Sequence, residues 1–143
     1  MKLSTGLRNA LLSGGSLKAS LDGGEIRIYS GTVPADADAS IGSATLLVTI
    51  KNGGSGINFA SSAASGVLNK ASAETWSGTN AATGTASFFR HVLSADTGAS
   101  STSAVRIQGT TAVAGADLNL TSVSLTSGAT QTIDFYSVAM PAG

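Results

Sequence analysis

The 143-residue chain has no cysteine, two prolines, one histidine, one tryptophan and few charges. Asp, Glu, Lys and Arg make up 11% of it, against about 25% in an ordinary globular domain. Without cysteine there is no disulfide framework, thiolate metal site or cysteine nucleophile. A single histidine leaves little material for general acid–base chemistry. Lys2, Arg8, Lys18, Arg27, Lys51, Lys70, Arg90 and Arg106 are scattered singly, not clustered as a phosphate-binding patch requires. No apolar run approaches the ~20 residues of a membrane-spanning helix. The start Met1-Lys2-Leu3-Ser4 carries no hydrophobic signal core, so a protein made in the cytoplasm and not secreted is expected. The expected partners therefore include no nucleic acid, membrane or small-molecule substrate, and no cofactor or metal.

What is present suits one domain of modest core. Val, Leu, Ile and Phe number 32, just above the share of about 20% below which chains tend to disorder. Eight basic and eight acidic residues cancel, and near-neutral proteins associate readily because nothing repels one copy from the next.

Two periodicities divide the chain. Leu3, Leu7 and Leu11 recur every four residues, one face of a helix. Ser4 or Thr5 can cap its start and Gly14-Gly15 can end it, which predicts a helix near 4–13 and a further turn near 16–21. From Glu25 the period is two: Ile26 and Ile28, then Leu46, Val48 and Ile50, then Val105 and Ile107 alternate with other side chains. Leu118 and Leu120 are out of phase with Val123 and Leu125, which predicts a bulge or corner near Thr121. Ile133 and Phe135 continue the inward pattern into the last strand, and Ser127-Gly128 predicts a tight hairpin between the strands flanking it. Weaker strands are expected at 57–60, 66–70, 74–78 and 85–93. The fold class is all-β: an antiparallel, jelly-roll-like β-sandwich with a short N-terminal helix. Residues 1–24 form a helical arm and 25–143 the sandwich.

Chemistry-bearing candidates each have a plainer role. His91 lies in a strand-like run with no Gly-x-Ser-x-Gly elbow anywhere in the chain, so a structural role is expected and no catalytic residue is assigned. Asp36 and Asp38 share a loop but no third carboxylate follows at calcium-loop spacing. Gly53-Gly54-Ser55-Gly56 lacks the Lys-Ser/Thr ending of a phosphate cradle. Asn119-Leu120-Thr121 matches a glycosylation sequon, a chance match if the chain is not secreted. Trp76, among polar neighbours, is either a sugar platform or interface anchor, or a core side chain capping the sandwich.

The segment Leu7-Arg8-Asn9-Ala10-Leu11-Leu12 with Gly14-Gly15, then Gly24-Glu25-Ile26-Arg27-Ile28-Tyr29-Ser30-Gly31 and an acidic Ala/Asp loop, together resemble one family. The ending Gly115-Ala116-Asp117-Leu118-Asn119-Leu120 through Asp134-Phe135-Tyr136-Ser137-Val138-Ala139-Met140-Pro141 is similar to it as well. These are the small cement, or decoration, proteins that coat the icosahedral heads of tailed phages. The likeness covers both ends and is vaguer over residues 52–84. It implies a jelly-roll-like sandwich on the outer capsid surface of the virion, self-associated as a dimer or trimer and bound to the major capsid protein. It carries over no catalytic or metal residue. Leu3, Leu7, Arg8 and Leu11 on the helix, with Trp76, are the interface candidates; the helix stripe packs either on a partner or on its own sandwich. The alternative is a receptor- or carbohydrate-binding module of a tail or fibre, reading sugars through Trp76. A hydrolase would have to be built around His91.

Overall fold

The computed structural model describes residues 1–142. In chain order the elements are β1 (Lys2–Leu3), α1 (Thr5–Leu12), α2 (Leu17–Leu21), β2 (Glu25–Ser30), β3 (Thr45–Asn52), β4 (Val67–Asn69), β5 (Trp76–Thr79), β6 (Gly84–Thr85), β7 (Phe88–Val92), β8 (Arg106–Ala112), β9 (Leu118–Asn119), β10 (Ser124–Leu125), β11 (Thr130–Ile133) and β12 (Ser137–Ala139). The fold is the expected all-β one: antiparallel, sandwich-like, with open sheets and a short N-terminal helix.

The main sheet runs β1-β8-β7-β2-β3-β5-β11, with β9 lying parallel beside β8. Two short ladders, β10–β6 and β12–β4, form separate two-stranded sheets. β3 links the layers, because residues 45–50 pair with β2 while Lys51 and Asn52 pair with β5. Ile26, Ile28, Val48, Ile50, Trp76, Phe89, Ile107, Ile133 and Tyr136 share one core. The close crossing of β5 over β3 needs glycine at Gly78, where a Cβ would sit 2.2 Å from the Thr49 carbonyl oxygen.

The N-terminal segment folds as its spacing predicts. The Ser4 hydroxyl caps α1 by accepting from Leu7 N–H at 3.1 Å, satisfying a donor with no partner inside the helix. It also accepts from Arg106 N–H at 2.9 Å, which ties the cap to β8. Gly14, at φ 92°, follows the helix end. Leu7 and Leu21 are fully buried and Leu17 nearly so, each contributing roughly 1.5–3 kcal/mol. Gly6 permits this docking: a Cβ there would meet the Ser103 carbonyl oxygen at 2.4 Å. Residues 1–24 thus share the core of the strands.

Two strand expectations need correction. Ser127-Gly128 does form a turn, with Ala129 N–H donating to the Thr126 carbonyl at 3.1 Å. It closes no hairpin, however, since β10 before it pairs with β6 and β11 after it pairs with β5. The turn is held instead by Asn80, whose amide donates to the Thr126 carbonyl at 3.0 Å. Second, β11 ends at Ile133, so alternation stops there: Tyr136 turns inward and Phe135 is 91% exposed. The phase change near Thr121 is present as bends between the buried pair Leu118 and Leu120 before it and the partly buried Val123 and buried Leu125 after it.

Candidate functional site

The five interface candidates separate by burial. Leu7 and Trp76 are 0% and 1% exposed, so neither can touch a partner; both are core residues. Leu3 and Leu11 pack partly buried against the same core. Of the helix stripe the sandwich takes nearly all, and only Arg8 stays exposed, with its guanidinium donating to the Thr5 hydroxyl at 2.8 Å. The outward side of α1 carries Leu12 instead, 86% exposed. Trp76 is buried with its polar atom satisfied, because the indole N–H donates to the Glu74 carboxylate at 2.6 Å. Glu74 also accepts from the backbone and side chain of Asn58 at 2.8 and 2.7 Å. Burial pushes its carboxyl up, but these hydrogen bonds prevail and hold it below the usual range.

The chemical candidates resolve into structural roles. His91 is 1% exposed on β7, its ring 5.4 Å from that of Phe59 and 5.7 Å from that of Tyr136. Burial pulls its pKa down to about 4, against the opposing influence of the Leu21 carbonyl and Asp22. Both loop carboxylates are already used. Asp36 accepts from the N–H groups of Asp38 and Ala39 at 2.9 and 2.8 Å, and Asp38 takes the N–H and hydroxyl of Thr5. Gly53 and Gly54, at φ 56° and 88°, form the tip of a turn closed by Asn52 and Ser55.

A polar layer absent from the sequence reading covers the outer face of the main sheet. Cross-strand register sets Arg27 opposite Arg90, Arg90 opposite Gln108, and Gln108 opposite Lys2. Cations dispersed in sequence therefore converge. Arg90 and Arg106 are each 1% exposed. Arg106 grips Asp96 with two donors, at 2.6 and 3.1 Å, and donates to the carbonyls of Ala37 and Ala99 at 3.1 and 2.7 Å. Arg90 donates to Gln108 at 2.9 Å and to the Ala39 carbonyl at 2.7 Å, while the Gln108 amide donates to the Pro34 carbonyl at 2.8 Å. Burial and the neighbouring Arg106 charge lower the Arg90 pKa. The layer fastens the acidic loop and the 94–99 loop through their main-chain carbonyls.

The chain matches no family model, no curated protein and no solved structure.

A groove of about 810 Å³ lies between the 113–121 segment and the strands β11 and β12. Leu118, Leu120 and Tyr136 line it from the core, and Phe135 and Val113 stand on it 91% and 62% exposed. Its charges nearly balance. Asp117 receives the Met1 amino group at 2.7 Å, while Lys70 and Asp134 make no ion pair among the described residues. The Lys70 ammonium donates to the carbonyls of Ala71 and Glu74 and lies 5.5 Å from the Trp76 ring. One signal in the sequence did point here: Phe135 and Tyr136 are adjacent, and two successive side chains of an extended segment face opposite ways. Parity with Ile133 chose the wrong one of the two.

Proposed function

We propose that the chain is a capsid decoration protein: a non-enzymatic virion component that self-associates and bridges major capsid protein subunits on the outer surface of a phage head. The observation that carries this reading is the set of large apolar side chains left in water by a chain with a well-filled core. Phe135, Leu12 and Val113 are 91%, 86% and 62% exposed, on a molecule of formal net charge zero. Phe135 and Val113 share one groove with Leu118, Leu120 and Tyr136, and a contiguous apolar surface marks an interaction site, while low net charge limits repulsion between closely set copies. The resemblance of both chain ends to cement proteins supports the same reading.

The mechanism needs no chemistry. A protein that binds the mature lattice and not its disassembled subunits stabilises it by RT ln(1 + [L]/Kd). Contact with two capsomers at once adds about 10²–10⁴ in avidity, so single contacts can be weak. The carbohydrate-binding alternative loses its platform, since Trp76 is core. Mass spectrometry of purified particles tests the proposal. The chain should be present at a copy number comparable with the major capsid protein; absence, or a few copies per particle, would refute it.

A further inference from the structure

We infer that the Phe135 groove is a homodimer interface with two-fold symmetry, in which each copy seats its Phe135 in the partner's groove. The argument starts from where knob and hole lie. Phe135 is 91% exposed and lines the same groove that Leu118, Leu120 and Tyr136 line from the core. A patch carrying both a projecting ring and an apolar recess is complementary to itself, which is the condition for an isologous two-fold contact. A trimer or larger ring needs knob and hole on different faces. The arrangement therefore selects the dimer over the trimer.

Charge agrees with this. Among the described residues Asp134, next to the knob, has no hydrogen bond or ion pair, and Lys70 in the same groove has no carboxylate within 4 Å. Antiparallel docking of two grooves would set Asp134 of each copy, which has no partner of its own among the described residues, against the partner's groove, whose one cationic lining residue is Lys70. Asp117 is already neutralised by the Met1 amino group, and no like-charge pair is forced together. A volume of about 810 Å³ accepts an aromatic side chain without rearrangement of the core. A buried aromatic at the centre of a small interface is the usual carrier of its affinity.

The inference deepens the self-association in the proposed function, and its test uses the full chain alone, without capsids. Sedimentation velocity from about 1 µM to 1 mM should show a monomer–dimer equilibrium. Phe135→Ser should raise the dissociation constant at least about tenfold, with the melting temperature unchanged at concentrations where the parent chain is monomeric, because the ring is outside the core. Asp134→Lys should weaken the dimer, and Asp134→Lys combined with Lys70→Asp should restore it. A chain monomeric throughout, a trimer, or a dimer indifferent to Phe135→Ser would overturn the inference. Since Lys70 contacts Glu74 and Trp76, the charge swap is judged only with a folded double variant, and Phe135→Ser decides alone otherwise. A dimer that ignores capsids would refute the function and keep this interface; a monomer that coats them would do the reverse.

Discussion

Arg106 and Ile107 are neighbours on β8 and face opposite ways. Ile107 enters a core of aliphatic and aromatic side chains, and Arg106 enters a polar layer sealed by two loops. Exposure is equally low, 0% and 1%, but the physics differs. The apolar side is non-directional and tolerates change of shape more readily than change of polarity. The polar side depends on each donor finding its acceptor, since an unpaired buried charge is far more costly than a missing methyl group. This sheet is therefore covered on both faces, once by the hydrophobic core and once by a mixed layer in which hydrogen-bonded guanidinium groups lie beside the stacked rings of Tyr29 and Phe88.

The sharpest way to break that comparison is on the polar side. Arg106→Ala strands Asp96, whose side chain is 5% exposed, and should cost about 3–5 kcal/mol in urea unfolding. Replacing both partners, Arg106→Met with Asp96→Leu, should recover only part of this loss, because the Ala37 and Ala99 carbonyls and the Gly98 N–H are left without partners. No second substitution should rescue Ile107→Ala, where about 2–5 kcal/mol goes into a cavity. Leu7→Ala belongs with Ile107: the helix lies in the core, so about 2–5 kcal/mol is expected in the free protein.

A smaller effect separates the faces by pH. His91 lies on the apolar side with its pKa pulled down to about 4 by burial, against about 6.5 when unfolded. The unfolded chain thus binds more protons between these values, and stability falls as pH drops through that window. From pH 7 to pH 5 the expected loss is about 2 kcal/mol. His91→Phe should flatten this slope in paired denaturant titrations, and an unchanged slope would remove His91 as its cause. Smallest of all is Phe135→Ser. Outside both faces, it should shift monomer stability by less than about 0.5 kcal/mol, and a larger calorimetric change would mean that the ring packs within the fold.

The apolar side was legible in the sequence because its residues keep strict phase: Ile26 and Ile28, Val48 and Ile50, and Ile107 are buried as alternation predicts. The helix caps were legible for the same local reason. The polar side was not. Alternation places Arg27, Arg90 and Arg106 outward, and outward ordinarily means water; the covering loops come from residues 50 or more positions away for Arg90 and 69 for the Ala37 contact of Arg106. The helix stripe was visible, but whether it packed on its own sandwich or on a partner depended on Gly6 and Ser103, which no periodicity connects. Phe135 was misplaced because a strand end cancels parity, and β11 stops two residues before it.

The proposed role rests on the claim that this sandwich leaves apolar side chains outside both its core and the Phe135 groove, Leu12 foremost at 86% exposed, for a capsid lattice. Titrating the full chain onto mature heads stripped of it, with bound protein quantified by sedimentation, tests that claim most directly. Saturable binding to the outer surface with a raised head disassembly temperature is predicted; heads that neither bind the chain nor gain heat resistance would contradict it.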